Sequence, residues 1–547
     1  MNLNLLPLAL SALCLLSACQ AAPASESAQP SASDAAVTAS AAAQTDTTLF
    51  SERDLAGTYD ADSAIAIQLT GDSASCDSSA VAIDGGTVTI TAEGVYLLSG
   101  TLTDGQIRVA AEDTAKVQLV LDGADITSST SAAIYAYSAD KVFVTLAEGS
   151  ENTLTNGGSY VAIDENNIDA VLFAKTDLTL NGTGSLTINA QDGHGVVSKD
   201  DLVIADGTYT VTAASTGFTG KDSLSIAGGT FTVTSGKDAL HAENTDDATL
   251  GSLYIADGAF TLDAQGDGIS ASGTLQIDGG TFSVVTGGGS STVTLTSSES
   301  FGAGRPGETQ TQTSSASTEE TDTASTKGLK ADGSLTLNGG TFTLDTADDS
   351  LHAGGDILIA SGEFNLSSGD DAIHSDAAVT IQGGTFTISY CYEGIEGLSI
   401  TIDDGTFDIT SYDDGVNAAG GADGSGFGPR QDTFSSTSSS TSSITINGGT
   451  FTIVSTGDCL DSNGNLTING GTLDLTCNGS GNTTLDTDGT FTNNGGDLTT
   501  NDGSESNPGG MAGGHGGGMM GGGGRGGQAA PSGMPNAGTD SAEIPSA

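Results

Sequence analysis

Gly383-Gly384-Thr385-Phe386-Thr387-Ile388 and Asp404-Gly405-Thr406-Phe407-Asp408-Ile409 are two passes of one repeat. The Phe column runs Phe342, Phe364, Phe386, Phe407 and Phe451, its first three members 22 residues apart. An acidic column, Asp349, Asp371, Glu393, Asp414 and Asp458, moves in step with it. A period near 22 residues, with apolar and polar positions alternating inside each unit, describes one coil of a β-solenoid. The alternation predicts three short strands per coil, over 385–388, 372–375 and 379–381, with Ile373, Val379, Ile381, Phe386 and Ile388 facing inward. The Gly pair supplies a corner. Stacked in register, such coils make an all-β fold, a parallel β-helix, for which a right-handed sense is the general preference.

The composition agrees with a solenoid. The chain has 547 residues, 80 of them Gly, and no Trp. Thirteen Lys and Arg stand against 69 Asp and Glu, for a formal charge of −56. That imbalance excludes nucleic acid as a partner and favours divalent cations. A compact core is unusual at this length, but a solenoid needs only contacts between neighbouring coils.

Residues 1–18 read as an export signal, an apolar run too short for a transmembrane helix. Leu16-Ser17-Ala18-Cys19 is similar to a bacterial lipobox. It implies cleavage before Cys19 and lipid attachment there, hence export to the cell surface and anchorage to the cytoplasmic membrane; a monomer is expected. Residues 19–48 read as a disordered tether, 49–502 as the β-helix and 503–547 as a Gly- and Met-rich disordered tail. His515 and the Met residues of that tail are a weak metal motif. Coils before about residue 190 are less regular and suit a capping role. Two insertions, 287–326 and 420–443, interrupt the period, which resumes after each. Of the remaining cysteines, Cys76, Cys391, Cys459 and Cys477, the last two are close enough in sequence to pair, or all four are small buried residues.

The corners carry the chemistry. They read Asp349-Ser350-Leu351-His352, Asp371-Ala372-Ile373-His374, Glu393-Gly394-Ile395-Glu396, Asp414-Gly415-Val416-Asn417 and Asp458-Cys459-Leu460-Asp461, and Asp348, Asp370 and Asp413 precede three of them. Rungs lie about 4.8 Å apart. Carboxylates repel at that distance by about 1 kcal/mol in water and several times more near a protein surface. A column of them needs a bridging cation or bound protons. Ca²⁺ takes six to eight oxygen ligands, and the eleven residues Asp348, Asp349, Asp370, Asp371, Glu393, Glu396, Asp413, Asp414, Asn417, Asp458 and Asp461 offer them, most densely around Glu393. Asp beside Gly is also a common turn former, which accounts for single corners but less well for Glu393 and Glu396.

Other residues are open to two readings. His352 and His374 project from the second strand, either toward sugar or simply as surface residues. Lys175, Lys199 and Lys221 form a column expected to be neutralised by Asp177, Asp200, Asp201 and Asp222. Lys327 and Lys330 fall in the acidic and polar columns, as general bases or as salt-bridged surface residues. Without Trp, the aromatic candidates for sugar contact are Tyr390, Tyr392 and Tyr412.

These corners, the Gly-Gly-Thr-Phe coils and the stretches Tyr392-Glu393-Gly394-Ile395-Glu396-Gly397 and Ser411–Ala418 resemble the bacterial carbohydrate-binding β-helix family. The stretch Leu119–Ile126 is similar to it as well. The resemblance covers roughly residues 50–500. It implies a right-handed parallel β-helix, similar in fold to family-nine polysaccharide lyases, that binds Ca²⁺ and plant cell-wall polysaccharides, cellulose or pectin-type chains. Two corners depart from the pattern, with His194 and Thr216 where an acid is expected. The resulting expectation is a surface-anchored, calcium-dependent polysaccharide-binding protein whose uronate binding is lost with chelator. The alternatives are a pectate-lyase-like enzyme using Lys327 or Lys330 as base, and a calcium-rigidified adhesin.

Overall fold

The computed structural model describes residues 49–295, 325–419, 442–506 and 508. The signal segment, Cys19, the tether, most of both insertions and the tail with His515 lie outside the described residues.

The repeat folds as its alternation requires. In a typical coil, Thr341–Thr346, Leu351–Ala353 and Ile357–Ile359 are separate strands. One coil on, the expected strands 372–375 and 379–381 merge into Ile373–Ile381, which Thr385–Tyr390 follows. Each strand pairs in parallel with its equivalent one coil on, so Phe342 lies on Phe364 and Phe364 on Phe386. The expected inward set, Ile373, Val379, Ile381, Phe386 and Ile388, is no more than 1% exposed. The result is the expected parallel β-helix, with one continuous apolar core along its axis.

The Phe column is longer than the repeat first suggests. Tyr209, Phe231, Phe260, Phe282, Phe342, Phe364, Phe386, Phe407 and Phe451 stack with centroids 4.6–5.2 Å apart. Neither insertion breaks it: Phe282 meets Phe342 at 4.8 Å and Phe407 meets Phe451 at 4.6 Å. The Gly before each Phe has a steric reason as well as a conformational one. Gly405 has φ +136°, and a Cβ there would lie 2.8 Å from the Phe407 ring.

The early coils pair into the same helix. They begin with two antiparallel pairs, Ile65–Gly71 with Ala74–Ser75 and Val81–Asp84 with Thr87–Ile90. The short helix Glu52–Ala56 braces the flank. Its buried Asp54 accepts a hydrogen bond from Thr179 at 2.5 Å and pairs with Lys141 at 2.8 Å. At the other end Ser504 bonds Thr484 and Leu485. The four described cysteines are free. Cys459 contacts the Ser455 hydroxyl and Cys477 donates to the Gly457 carbonyl, so the pairing does not form; the buried-residue reading holds for Cys391 and Cys459, whereas Cys76 and Cys477 are half-buried.

The Phe stack should dominate local stability. Phe364→Ala is expected to cost about 3–5 kcal/mol by denaturant titration, whereas an exposed neighbour such as Asn365→Ala should cost under about 0.5 kcal/mol. Equal losses at both positions would count against the stack.

Candidate functional site

Two columns run along the corner of the helix. The first holds Asp238, Asp267, Lys327, Asp349, Asp371, Glu393, Asp414 and Asp458. The second, three residues later in each coil, is set by strand register. It runs His241, Ser270, Lys330, His352, His374, Glu396, Asn417, Asp461 and Asp486. Lys327 and Lys330 thus sit in both columns, as their spacing suggested.

A first-column Asp has a structural job. One carboxylate oxygen accepts the backbone N–H of the equivalent residue on the next rung. Asp371 donates to Asp349 at 3.0 Å, Glu393 to Asp371 at 3.1 Å and Asp458 to Asp414 at 2.6 Å. Asp238 and Asp267 do the same for Asp267 and Lys327 at 2.9 and 2.7 Å. These bonds satisfy N–H groups that the turn would otherwise leave bare. Glu393 departs from the ladder: its oxygens accept from the Asn417 amide at 3.1 and 3.0 Å. Among the described residues it accepts no backbone N–H.

The protein supplies its own cations to the first half of the columns. Lys327 is fully buried, with its ammonium 2.6 Å from Asp349 and 3.1 Å from Asp348. This corrects the surface reading of Lys327, and such enclosure suits charge balance rather than proton abstraction from an external sugar. His352 bonds Asp349 at 2.9 Å. Burial opposes ionisation of Asp349, but Lys327 and His352 together hold its carboxyl below the usual range. His374 bonds Asp371 at 3.1 Å and Glu396 at 2.8 Å. Burial works against its charge, yet bonds to Asp371, Asp376 and Glu396 hold the imidazole well above its ordinary value. The two imidazoles stack 5.2 Å apart. His352 and His374 are therefore buried partners of the acids, a correction to their reading as surface or sugar-contacting groups. Strand alternation alone points them outward, but the next coil's corner covers them. Lys330 remains one-quarter exposed, 3.7 Å from Asp332 and 3.9 Å from Asp267.

Among the described residues the second half has no such cations. After Lys330 the sequence contains no Lys, and its Arg residues there, Arg430 and Arg525, lie outside the described residues. Burial, with the charges of Glu396, Asp371 and Asp414, pushes the Glu393 carboxyl well up. Burial and Asp461, Asp413 and Asp458 do the same to Asp414. Asp458, Asp461 and Asp486 bring carboxylate oxygens within 4.8 Å of one another. Asn417 is 3% exposed, and its side-chain carbonyl is buried with no hydrogen-bond donor. Asp486 escaped the sequence reading because its coil has Thr483 in place of the acid and lacks the Gly-Gly-Thr-Phe marker. Its place below Asp461 was the available signal.

The remaining candidates divide. Asp348, Asp349 and Asp370 also gather within 4.8 Å, but Lys327 already faces Asp348 and Asp349. Tyr390 and Tyr412 are each 37% exposed, whereas Tyr392 is buried at 3% and is removed from the sugar-contacting set. The Lys column is not neutralised as expected. Lys175 and Lys199 lie over the rings of Tyr137 and Phe173, and Lys221 pairs with Asp246. Asp177, Asp200 and Asp201 cluster together instead, and burial with the other two charges pushes Asp177 up to about 6.

Two measurements test this charge arrangement. Lys327→Met should cost about 3–5 kcal/mol, because it strands buried carboxylates; a loss under 1 kcal/mol in denaturant titration contradicts the pairing. Asp458 is pushed up to about 6 and Asp461 to about 7, both chiefly by burial, from an ordinary 3.8. An acid raised on folding takes up protons as it folds. Its stabilisation is complete below about pH 4 and is lost as pH rises through about 7. The melting temperature in chelator should therefore decline across that window, and a rising profile would exclude the cation-poor reading.

A family model described as carbohydrate-binding domain-containing protein matches residues 84–372, 354–426 and 379–489. A carbohydrate-binding domain-containing protein of Acetivibrio thermocellus is 42% identical over 128 residues, 23% of this chain and 45% of the relative. The chain thus spans less than half the length of that relative. A solved structure of a polysaccharide lyase-like protein from C. thermocellum, a gadolinium derivative, is 34% identical with a TM-score of 0.40, over 41% of this chain and 92% of that one. The family match runs across the Phe stack and almost the whole of both corner columns, and the chain belongs to the carbohydrate-binding domain family.

Proposed function

We propose that this protein is a calcium-dependent receptor for acidic polysaccharide of the pectin type, exported and tethered to the cell surface through a lipid on Cys19. The observation that carries the calcium reading is the Asn417 carbonyl, buried without a donor in the half of the columns that lacks cations. Asn417, Glu393, Asp414, Asp458, Asp461 and Asp486 are all oxygen donors, the chemistry Ca²⁺ prefers. Asp371 and Glu396 are less suited, because His374 already lies between them. Bound Ca²⁺ would offset the mutual repulsion of these acids and offer open coordination positions to a uronate carboxylate. Without such a bridge these acidic coils repel polyuronate. Tyr390 and Tyr412 are exposed on neighbouring coils and give ring faces for sugar. Cellulose, being neutral, would use only those rings.

Turnover is the second reading, and it is weaker. A β-elimination needs a base close to the cation. Lys327 is enclosed, and Lys330 stands three rungs from Glu396 in its column, about 14 Å away. No unsaturated uronate product should be seen by absorbance with Ca²⁺ present. Product that disappears in Lys330→Ala would replace the binding reading.

Calcium should raise the melting temperature at pH 7.5, with chelator reversing the shift. Asn417→Ala and Glu393→Gln should each weaken Ca²⁺ about tenfold or more by calorimetry, a loss of about 1.4 kcal/mol. Affinity for polygalacturonate should fall at least about tenfold on chelation. Unchanged calcium affinity in both variants would remove the site, and chelator-insensitive polygalacturonate affinity would remove the bridge.

A further inference from the structure

We propose that a groove on the early coils is a second, metal-independent binding site for an anionic group on a glycan, a uronate carboxylate or a sulfate ester. It goes beyond the calcium reading and rests only on membership of a carbohydrate-binding family. The groove encloses about 370 Å³, within the range of small-ligand sites, and His194, Lys199, Thr219, Lys221, Lys237 and His241 line it. Three of the eight Lys and two of the five His in a chain of charge −56 meet in this one place.

Strand register builds it. Val197, Thr219 and His241 lie one above another, as do Ser198 and Gly220. Lys199 and Lys221, each one residue beyond that pair, leave from equivalent points on successive rungs, about 4.8 Å apart. The Lys221 N–H donates to the Ser198 carbonyl at 3.0 Å, which fixes the second lysine beside the first. These are also the coils where the acid column is interrupted, with His194 and Thr216 in place of carboxylates. The missing acids and the gathered cations are two sides of one local change.

The charges in the groove do not cancel. His241 answers the two acids in the lining, at 2.8 Å from Asp238 and 3.3 Å from Glu243. Lys221 is taken by Asp246 at 2.6 Å. Among the described residues, neither Lys199 nor Lys237 has a carboxylate within ion-pair distance. Lys199 rests on the Phe173 ring at 5.4 Å, and both ammonium groups are exposed. His194 accepts the Thr216 N–H on Nδ1 at 3.3 Å, leaving Nε2 as a donor. Burial, with the Lys199, Lys237 and His241 charges, outweighs the opposing Asp169 carboxylate and holds this imidazole below its ordinary value. The Thr219 hydroxyl is buried with no hydrogen-bond partner. Two unmatched ammonium groups beside a neutral N–H donor and an unused hydroxyl suit an anion carried on a polyhydroxylated ring. From His241 to Glu396 is five rungs, about 24 Å, so the groove and the calcium coils are separate sites on one face.

The test uses the full chain in excess chelator, titrated calorimetrically with oligogalacturonate, a sulfated galactan oligomer and a neutral cello-oligosaccharide. Binding of at least one anionic oligomer, weakened by salt and absent for the neutral one, is expected. Lys199→Ala/Lys237→Ala should lower that residual affinity about tenfold or more, about 1.4 kcal/mol, and leave the melting temperature and calcium response unchanged. Which anionic oligomer survives distinguishes carboxylate from sulfate. Glu393→Gln should leave the chelator-resistant binding intact. No anionic binding in chelator, or binding indifferent to the double substitution, overturns the groove. Loss of the calcium response with this binding retained overturns the calcium reading alone.

Discussion

In-register parallel pairing is the constraint on which the rest of this molecule depends. It places each residue directly above its equivalent one coil earlier, at the spacing of a β-ladder. What a position does once, it must do at every rung. For Phe this is favourable, and nine rings from Tyr209 to Phe451 share one stack. For Asp the same geometry is a liability, because like charges are held a few ångström apart where water is scarce.

The helix handles that liability differently along its length. Where the column begins, at His194 and Thr216, the acids are absent and cations collect. From Asp349 to Glu396 the acids are interleaved with Lys327, His352 and His374, and each Asp also accepts a backbone N–H from the next rung. Glu393 and the acids from Asp414 onward have no Lys or His partners among the described residues, and the backbone ladder is interrupted at Glu393. One fold therefore presents a basic groove, a self-neutralised middle and a cation-poor acidic end on one face.

The scaffold was legible because its signals are local and periodic. Phe386 recurs at a fixed interval, Ile373 and Ile388 alternate with polar residues, and Gly405 stands where a Cβ would strike a ring. The acid columns were legible for the same reason. Partners were not. The spacing of Lys327 puts it in the acid column, but nothing in its neighbourhood announces that it is buried and meets Asp349 from the rung before. His374 looks outward by alternation, yet it is enclosed between acids on two rungs. Tyr392 looks like its exposed neighbour Tyr390 but is buried. Asp486 sits in a coil that has lost the repeat marker. The groove draws on Lys199 and Lys221, which read in sequence as part of a column paired with nearby Asp, and on Lys237, which stood outside that column.

The sequence by itself determined the coil, its period, its apolar face and the acid-rich corner, because each follows from residues within one or two repeats. Only the tertiary structure decided which acids have a cation and which do not, because ion pairs form between rungs and through turns whose side-chain directions no alternation rule specifies. A buried carbonyl at Asn417 and two unmatched lysines at Lys199 and Lys237 are properties of stacked coils, not of any single coil.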